Sequence, residues 1–234
     1  MLAELTYPIY MTGSWDEALA VLEDLTEEQI CSGAMFLSML TSVLEIYIHR
    51  GQLEQAQRLL SLFSRLETSV ELQEQGVYRS ATAALRRAEG RLGEALEAGA
   101  ASVELARTLG ANHQLVKQGL VEAIEAALAL GERAKAAELL ATIEHFPQGL
   151  RPPYLEAQAH RFRARLEGNE ASYRAAAARF RELETPFWLG VTLLEHGEEP
   201  GLAEAREIFE RLDAAPWLER VTAAAAELHA SVPA

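Results

Sequence analysis

A short phrase that recurs along the chain limits what it can fold into: glycine, any residue, a large apolar residue, any two residues, alanine. It stands as Gly13-Ser14-Trp15-Asp16-Glu17-Ala18, Gly51-Gln52-Leu53-Glu54-Gln55-Ala56 and Gly90-Arg91-Leu92-Gly93-Glu94-Ala95. Weaker copies follow at Gly131-Glu132-Arg133-Ala134-Lys135-Ala136, at Gly168-Asn169-Glu170 with Ala175 beyond it, and from Gly197 to Ala205 through Gly201-Leu202-Ala203-Glu204. The glycines lie 38, 39, 41, 37 and 29 residues apart. A period of that size means stacked units, each too small to bury its own apolar face. Each position has a physical reason. Glycine closes one helix in the left-handed conformation, the large residue fills the gap between two paired helices, and alanine lets their backbones approach.

Local signals agree with helix pairs. Hydrophobic residues are 49% of the chain but aromatics only 7%, so Ala and Leu, both strong helix formers, carry the apolar content. Thr26-Glu27-Glu28-Gln29 has the form of a capping box that starts a helix at Glu27. Pro152-Pro153, Pro186 and Pro216 suit helix first turns, and Gly110 before Asn112 suits a helix stop. The expected helices span 3–12, 15–24, 27–50, 52–66, 69–89, 91–109, 112–130, 132–145, 152–167, 171–184, 186–196, 201–213 and 216–231. No segment alternates with a period of two, so no sheet is expected.

The recurring phrase resembles the consensus of the tetratricopeptide repeat along nearly the whole chain, strongly in the first three copies and in degraded form in the last three. The resemblance implies a single all-α domain over 1–234: a right-handed α-solenoid of about six antiparallel helix pairs with a capping helix near 216–231. Two departures stand out. The family period is about 34 residues, so the longer repeats imply extended helices or enlarged loops; the short last repeat implies that the loop after Leu194-Glu195-His196-Gly197 has lost a turn or more of helix. The stretch from Thr185 to Ala225, with Pro186-Phe187-Trp188-Leu189-Gly190 and Ala205-Arg206-Glu207-Ile208-Phe209, is similar to the C-terminal repeat regions of large bacterial regulators that join an ATPase module to a helix-turn-helix or a cyclase domain. That likeness implies sensing or autoinhibition, and either a larger parent protein or a degenerate family member encoded alone. The ATPase module itself is not encoded here, since no Gly-x-x-x-x-Gly-Lys-Ser/Thr occurs.

In the tetratricopeptide family the first helix of each pair lines a concave groove, at positions roughly 2, 3, 6, 10 and 13 residues before the turn glycine. Carried onto this chain, that spacing selects Glu45, Ile48 and His49; Ser80, Ala84 and Arg87; Gln118, Glu125 and Leu128; and Gln158, Phe162 and Arg165. The groove candidates are therefore Glu45, His49, Ser80, Arg87, Gln118, Glu125, Gln158, Phe162 and Arg165. Arg161, Arg163, Arg165, Arg174, Arg179 and Arg181 form a local basic cluster that reads first as a solvated face and second as an anion site. Trp217, Leu218, Val221 and Leu228 give the last helix an apolar stripe, read as an inward cap or a dimer surface.

Other chemistry finds little foothold. The formal net charge is −14 and the pI about 4.9, which opposes sequence-independent binding of nucleic acid or an anionic membrane. Cys31 is the only cysteine, so no intrachain disulfide forms, and it reads as a small buried hydrophobe beside Met35, Phe36 and Met39. The six histidines follow no metal-ligand spacing, and no nucleophile elbow occurs. Neither secretory leader nor spanning segment is evident. The expected protein is cytoplasmic and non-enzymatic, uses no cofactor or metal, and binds a protein or peptide partner in its groove. Sensing of a small molecule or short peptide, and self-assembly as a homodimer, are the rival functions.

Overall fold

The computed structural model of the chain describes residues 5–23, 25–31, 37–105, 108, 110, 113–147 and 149–230. Among the described residues every regular element is a helix, and the fold is an all-α, solenoid-like array of antiparallel helix pairs. Six helices form an inner layer: α1 (Thr6–Thr12), α4 (Leu37–His49), α6 (Leu72–Ala88), α8 (Gln114–Ala129), α10 (Pro153–Glu167) and α12 (Pro186–His196). Each is followed by its partner in the outer layer: α2 (Trp15–Glu23), α5 (Leu53–Leu62), α7 (Leu92–Glu104), α9 (Arg133–Glu144), α11 (Glu170–Glu182) and α13 (Glu199–Arg211). The short α3 (Glu27–Cys31) leads towards α4, a 3-10 turn over Ser64–Thr68 precedes α6, and α14 (Ala215–Ala230) closes the array.

Burial separates the layers. Eleven of the 13 residues of α4 are buried, against three of the ten in α5; α8 buries eleven of 16 and α9 four of 12. An inner helix is covered on several sides by its own partner and its neighbours, whereas an outer helix needs only one apolar stripe.

The glycine phrase does what its chemistry requires. All six turn glycines have positive φ, from 67° to 86°, and Ala18, Ala56, Ala95, Ala136 and Ala205 are fully buried. Trp15 is buried in the first gap and its Nε1–H donates to the Tyr10 carbonyl at 3.0 Å, fastening α2 to the end of α1. In the fifth copy the alanine slot five residues after Gly168 belongs to Tyr173, and Ala176, not Ala175, is the fully buried alanine. Between α7 and α8 the backbones approach so closely that a Cβ on Gly119 would lie 2.5 Å from Ser102 Oγ, and one on Gly99 3.0 Å from the Ala123 backbone.

Several boundaries differ from expectation. Thr26 and Gln29 exchange the two capping-box bonds, Gln29 N–H to Thr26 Oγ1 at 3.2 Å and Thr26 N–H to Gln29 Oε1 at 2.8 Å. The helix expected over 27–50 is described as α3 and α4, with 32–36, including Met35 and Phe36, outside the described residues, as is the side chain of Cys31. The shortening of the last repeat lies in α12, only 11 residues against 15 in α10, and not after Gly197: α13 begins at Glu199, because Pro200 suits a first turn.

The array completes one turn, and its ends meet. The turn after α1 presses on the start of α12, where a Cβ on Gly13 would lie 2.8 Å from Pro186 Cγ and 3.1 Å from Leu212 Cδ2. The turn after α4 meets α14, with Pro216 Cγ 3.1 Å from the Cβ position of Gly51. Arg50 Nε donates to the Leu212 carbonyl at 3.1 Å across 162 residues of sequence. Aromatic rings fill this seam: Phe187 lies 5.5 Å from Trp15, 3.9 Å from His49 and 5.2 Å from Trp217, centroid to centroid. Within α14, Val221 is buried and Trp217, Leu218 and Leu228 pack partly buried against the core, so the stripe turns inward as a cap.

Candidate functional site

The groove candidates all fall on inner helices, but closure of the array buries them. Glu45, His49, Ser80, Gln118, Gln158 and Phe162 are each less than a tenth exposed, and the side chains of Arg87, Glu125 and Arg165 are 19%, 13% and 23% exposed. Phe162 is in the hydrophobic core, and His49 belongs to the aromatic seam. Ser80 satisfies itself on the Val77 carbonyl at 3.0 Å. The remaining six form a continuous polar lining with side chains outside the candidate set.

On the C-terminal side that lining is a saturated ion network. Arg161, only 1% exposed, grips Glu195 with two bonds of 2.7 Å, donates to Gln158 Oε1 at 2.9 Å and also pairs with Glu125. Arg165 adds bonds to Glu125 at 2.8 Å and to Glu195 at 3.3 Å. Burial alone raises a carboxyl pKa, yet Arg161, Arg165 and Arg87 together hold Glu125 well below the usual carboxylate range. Burial likewise opposes the charge on Arg161, but Glu125 and Glu195 outweigh it and raise its pKa. Arg87 clasps Glu122 at 2.6 and 3.0 Å.

On the N-terminal side charge is scarce. Tyr10 Oη donates to Glu45 Oε2, joining α1 to α4. Burial, and then the neighbouring Glu122, push the Glu45 carboxyl from the ordinary 4.5 up to about 8, because Tyr10 and a preoccupied Arg87 offset only part of the cost. Burial also raises the Tyr10, Tyr7 and Tyr154 hydroxyls and lowers His49 well below its usual range. Lys117 lies 5.2 Å from the Tyr7 ring, and Gln114 Nε2 donates to Thr41 Oγ1 at 2.6 Å, linking α8 to α4 past the intervening α6.

Three buried side chains in and beside this lining carry idle polar atoms: both amide atoms of Gln118, His49 Nε2 and Trp188 Nε1. Gln118 is 5% exposed and stands one helical turn before Glu122. A buried amide with every donor and acceptor idle is costly, about 1–3 kcal/mol per group.

The transferred spacing, if carried to Gly197, also selects Glu195, two residues earlier. Arg161 was legible only as part of the basic cluster, and Tyr10 and Glu122 carried no signal. The cluster itself divides: Arg161 and Arg165 point inside, whereas Arg163 pairs with Glu144, Arg174 with Glu170, Arg179 with Glu182 and Arg181 with Glu204. All six guanidiniums thus have carboxylate partners within the chain. Asp24 lies outside the described residues. Among the described residues no helix is long and apolar enough to cross a membrane.

The fold and its lining define a closed all-α repeat array with a polar, ion-paired interior. No protein-family model matches the chain, and no curated protein aligns with it significantly. Among solved structures it is similar to BtubC (BKLC) from P. vanneervenii, at 11% identity and a TM-score of 0.39, covering 98% of this chain and 94% of that one. That superposition is too loose to transfer fold or function.

Proposed function

We propose that this protein is a non-catalytic, cytoplasmic regulatory module of the tetratricopeptide type, which recognises a short peptide or a small polar ligand through the lining of its inner helices. The observation that carries the reading is Gln118: a buried amide with no internal partner, set in a lining whose other members are almost all paired. A guest that presents a donor and an acceptor together, as a peptide unit does, recovers the missing bonds. The closure of the array argues against an extended partner lying in an open groove, because Glu45, Gln118 and Gln158 are buried and the Glu125 side chain is only 13% exposed. The resemblance of 185–225 to the repeat regions of bacterial ATPase-linked regulators and cyclases supports a place in, or kinship with, a larger signalling or transcription regulator. Binding would then be read out through the seam, where α12 and α14 meet the first two repeats.

The test compares the wild-type chain with Gln118→Leu. Thermal unfolding is followed with and without a set of free di- and tripeptides at millimolar concentration, with calorimetric titration of any that stabilise. The expected result is stabilisation of the wild type by some members of the set, lost in Gln118→Leu, while the variant alone unfolds at the same temperature or higher because two idle polar groups have been removed. A variant that unfolds much earlier, with no peptide shifting the wild type, would make Gln118 a structural residue and sink the reading.

A further inference from the structure

The corner where α11 begins and α12 turns into α13 gathers three side chains that the sequence keeps apart. His196 is the last residue of α12, Gly197 makes the left-handed turn, Glu198 is the cap before α13, and Glu170 is the first residue of α11. His196 Nε2 lies 2.6 Å from Glu170 Oε2 and 3.6 Å from Glu198 Oε1, and one ligand atom from each residue lies within 4.8 Å of the others. The imidazole is held in place: its side chain is 8% exposed and its ring stacks on Tyr173 at 5.0 Å with planes 25° apart. Tyr173 is the residue that took over the alanine slot of the repeat phrase, so the loss of the consensus there is what fixes the histidine ring.

Two carboxylates therefore converge on one nitrogen that carries at most one proton. Arg174 at 3.5 Å gives Glu170 partial relief; Glu198 has no other ion pair described. We propose that this corner is a binding site for a divalent first-row transition cation of the zinc class, with His196 Nε2, Glu170 Oε2 and Glu198 Oε1 as ligands. Atoms with these separations share an equidistant point roughly 2 to 2.5 Å from each, against the about 2.0–2.2 Å that zinc takes to imidazole nitrogen and carboxylate oxygen. One nitrogen with two carboxylate oxygens suits zinc, cobalt or nickel better than calcium or magnesium, which favour all-oxygen shells. The C-terminal end of α12 adds its negative dipole end at the same point. Three protein ligands leave a position for water. A cation here ties α11 to the α12–α13 turn and stiffens the repeats that close the array.

The full 234-residue chain, stripped with chelator, is titrated with zinc by calorimetry and with cobalt by visible absorption. One equivalent binding in the micromolar range is expected, with cobalt bands of a low-coordinate site and a rise in unfolding temperature. His196→Ala and Glu170→Gln should each weaken binding by about tenfold or more while far-UV circular dichroism stays unchanged. Glu199→Gln, whose carboxylate faces His229 at 4.0 Å instead, should bind as the wild type does. Magnesium should give no heat. An absence of saturable zinc binding below millimolar, or equal affinity in the wild type and His196→Ala, overturns the proposal.

Discussion

Glu45 and Glu125 are the same residue type on two inner helices of one array, both enclosed, and they ionise in opposite directions. Glu45 on α4 is pushed up to about 8, whereas Glu125 on α8 is held well below the carboxylate range. The difference is the supply of cations. Glu125 is shared by Arg161 and Arg165, while the Arg87 that reaches towards Glu45 is already clasped by Glu122. Burial sets the cost of a charge; the count of uncommitted guanidiniums decides whether the charge survives. The C-terminal part of the lining is thus an ionic lattice, and the N-terminal part is a nearly neutral set of hydrogen bonds centred on Tyr10 and Glu45.

The largest effect should come from breaking the ionic side. Arg161→Met leaves Glu125 and Glu195 enclosed without their main partner, and urea unfolding should show a loss of about 3–5 kcal/mol. Stability unchanged in that variant would mean that Arg165 alone sustains both carboxylates.

The next effect sharpens the contrast through pH. The folded chain holds a proton on Glu45 that the unfolded chain releases near 4.5, so this contribution is fully present below about 4.5 and is lost as pH rises through about 8. Every tenfold difference in proton affinity between the folded and unfolded chain corresponds to about 1.4 kcal/mol. Glu125 works in reverse, stabilising above the ordinary carboxylate pKa and failing as pH falls. Glu45→Gln keeps a neutral partner for Tyr10 and should flatten the decline between about pH 5 and 8, followed by denaturant midpoints at each pH, while leaving the acid limb intact. A profile unchanged by the substitution would show that Glu45 is ionised throughout.

The smallest effect separates turn chemistry from closure. Gly90→Ala should cost about 1–2 kcal/mol, from a left-handed residue with a Cβ alone, since nothing lies within 4 Å of the added atom. Gly13→Ala has the same backbone strain plus a Cβ driven to 2.8 Å from Pro186, adding roughly 1–3 kcal/mol. Equal thermal shifts in the two variants would mean that the seam opens without cost.

Much of the layout was readable in the residues. The glycine phrase located the helix pairs because positive φ and close backbone approach are local demands that only small residues meet. Pro186, Pro216 and the Thr26–Gln29 box placed helix starts for the same reason. The site was legible in part: the transferred spacing found six members of the lining, because all inner helices share one geometry. It missed Tyr10 and Glu122, and it could not tell that Arg161 turns inward while Arg163 turns out, since both stand in one run of alternating charge.

The elements and their order follow from the chain's own residues: helix pairs punctuated by glycines whose conformation is set within a few positions. Closure after one turn is a tertiary property, because it depends on small angles between repeats accumulating until Gly13 meets Pro186 and Gly51 meets Pro216. The charge state of the lining is tertiary too. A carboxylate's ionisation depends on which cations surround it in space, and Arg161 reaches Glu125 from 36 residues away, a separation over which no local pattern carries information.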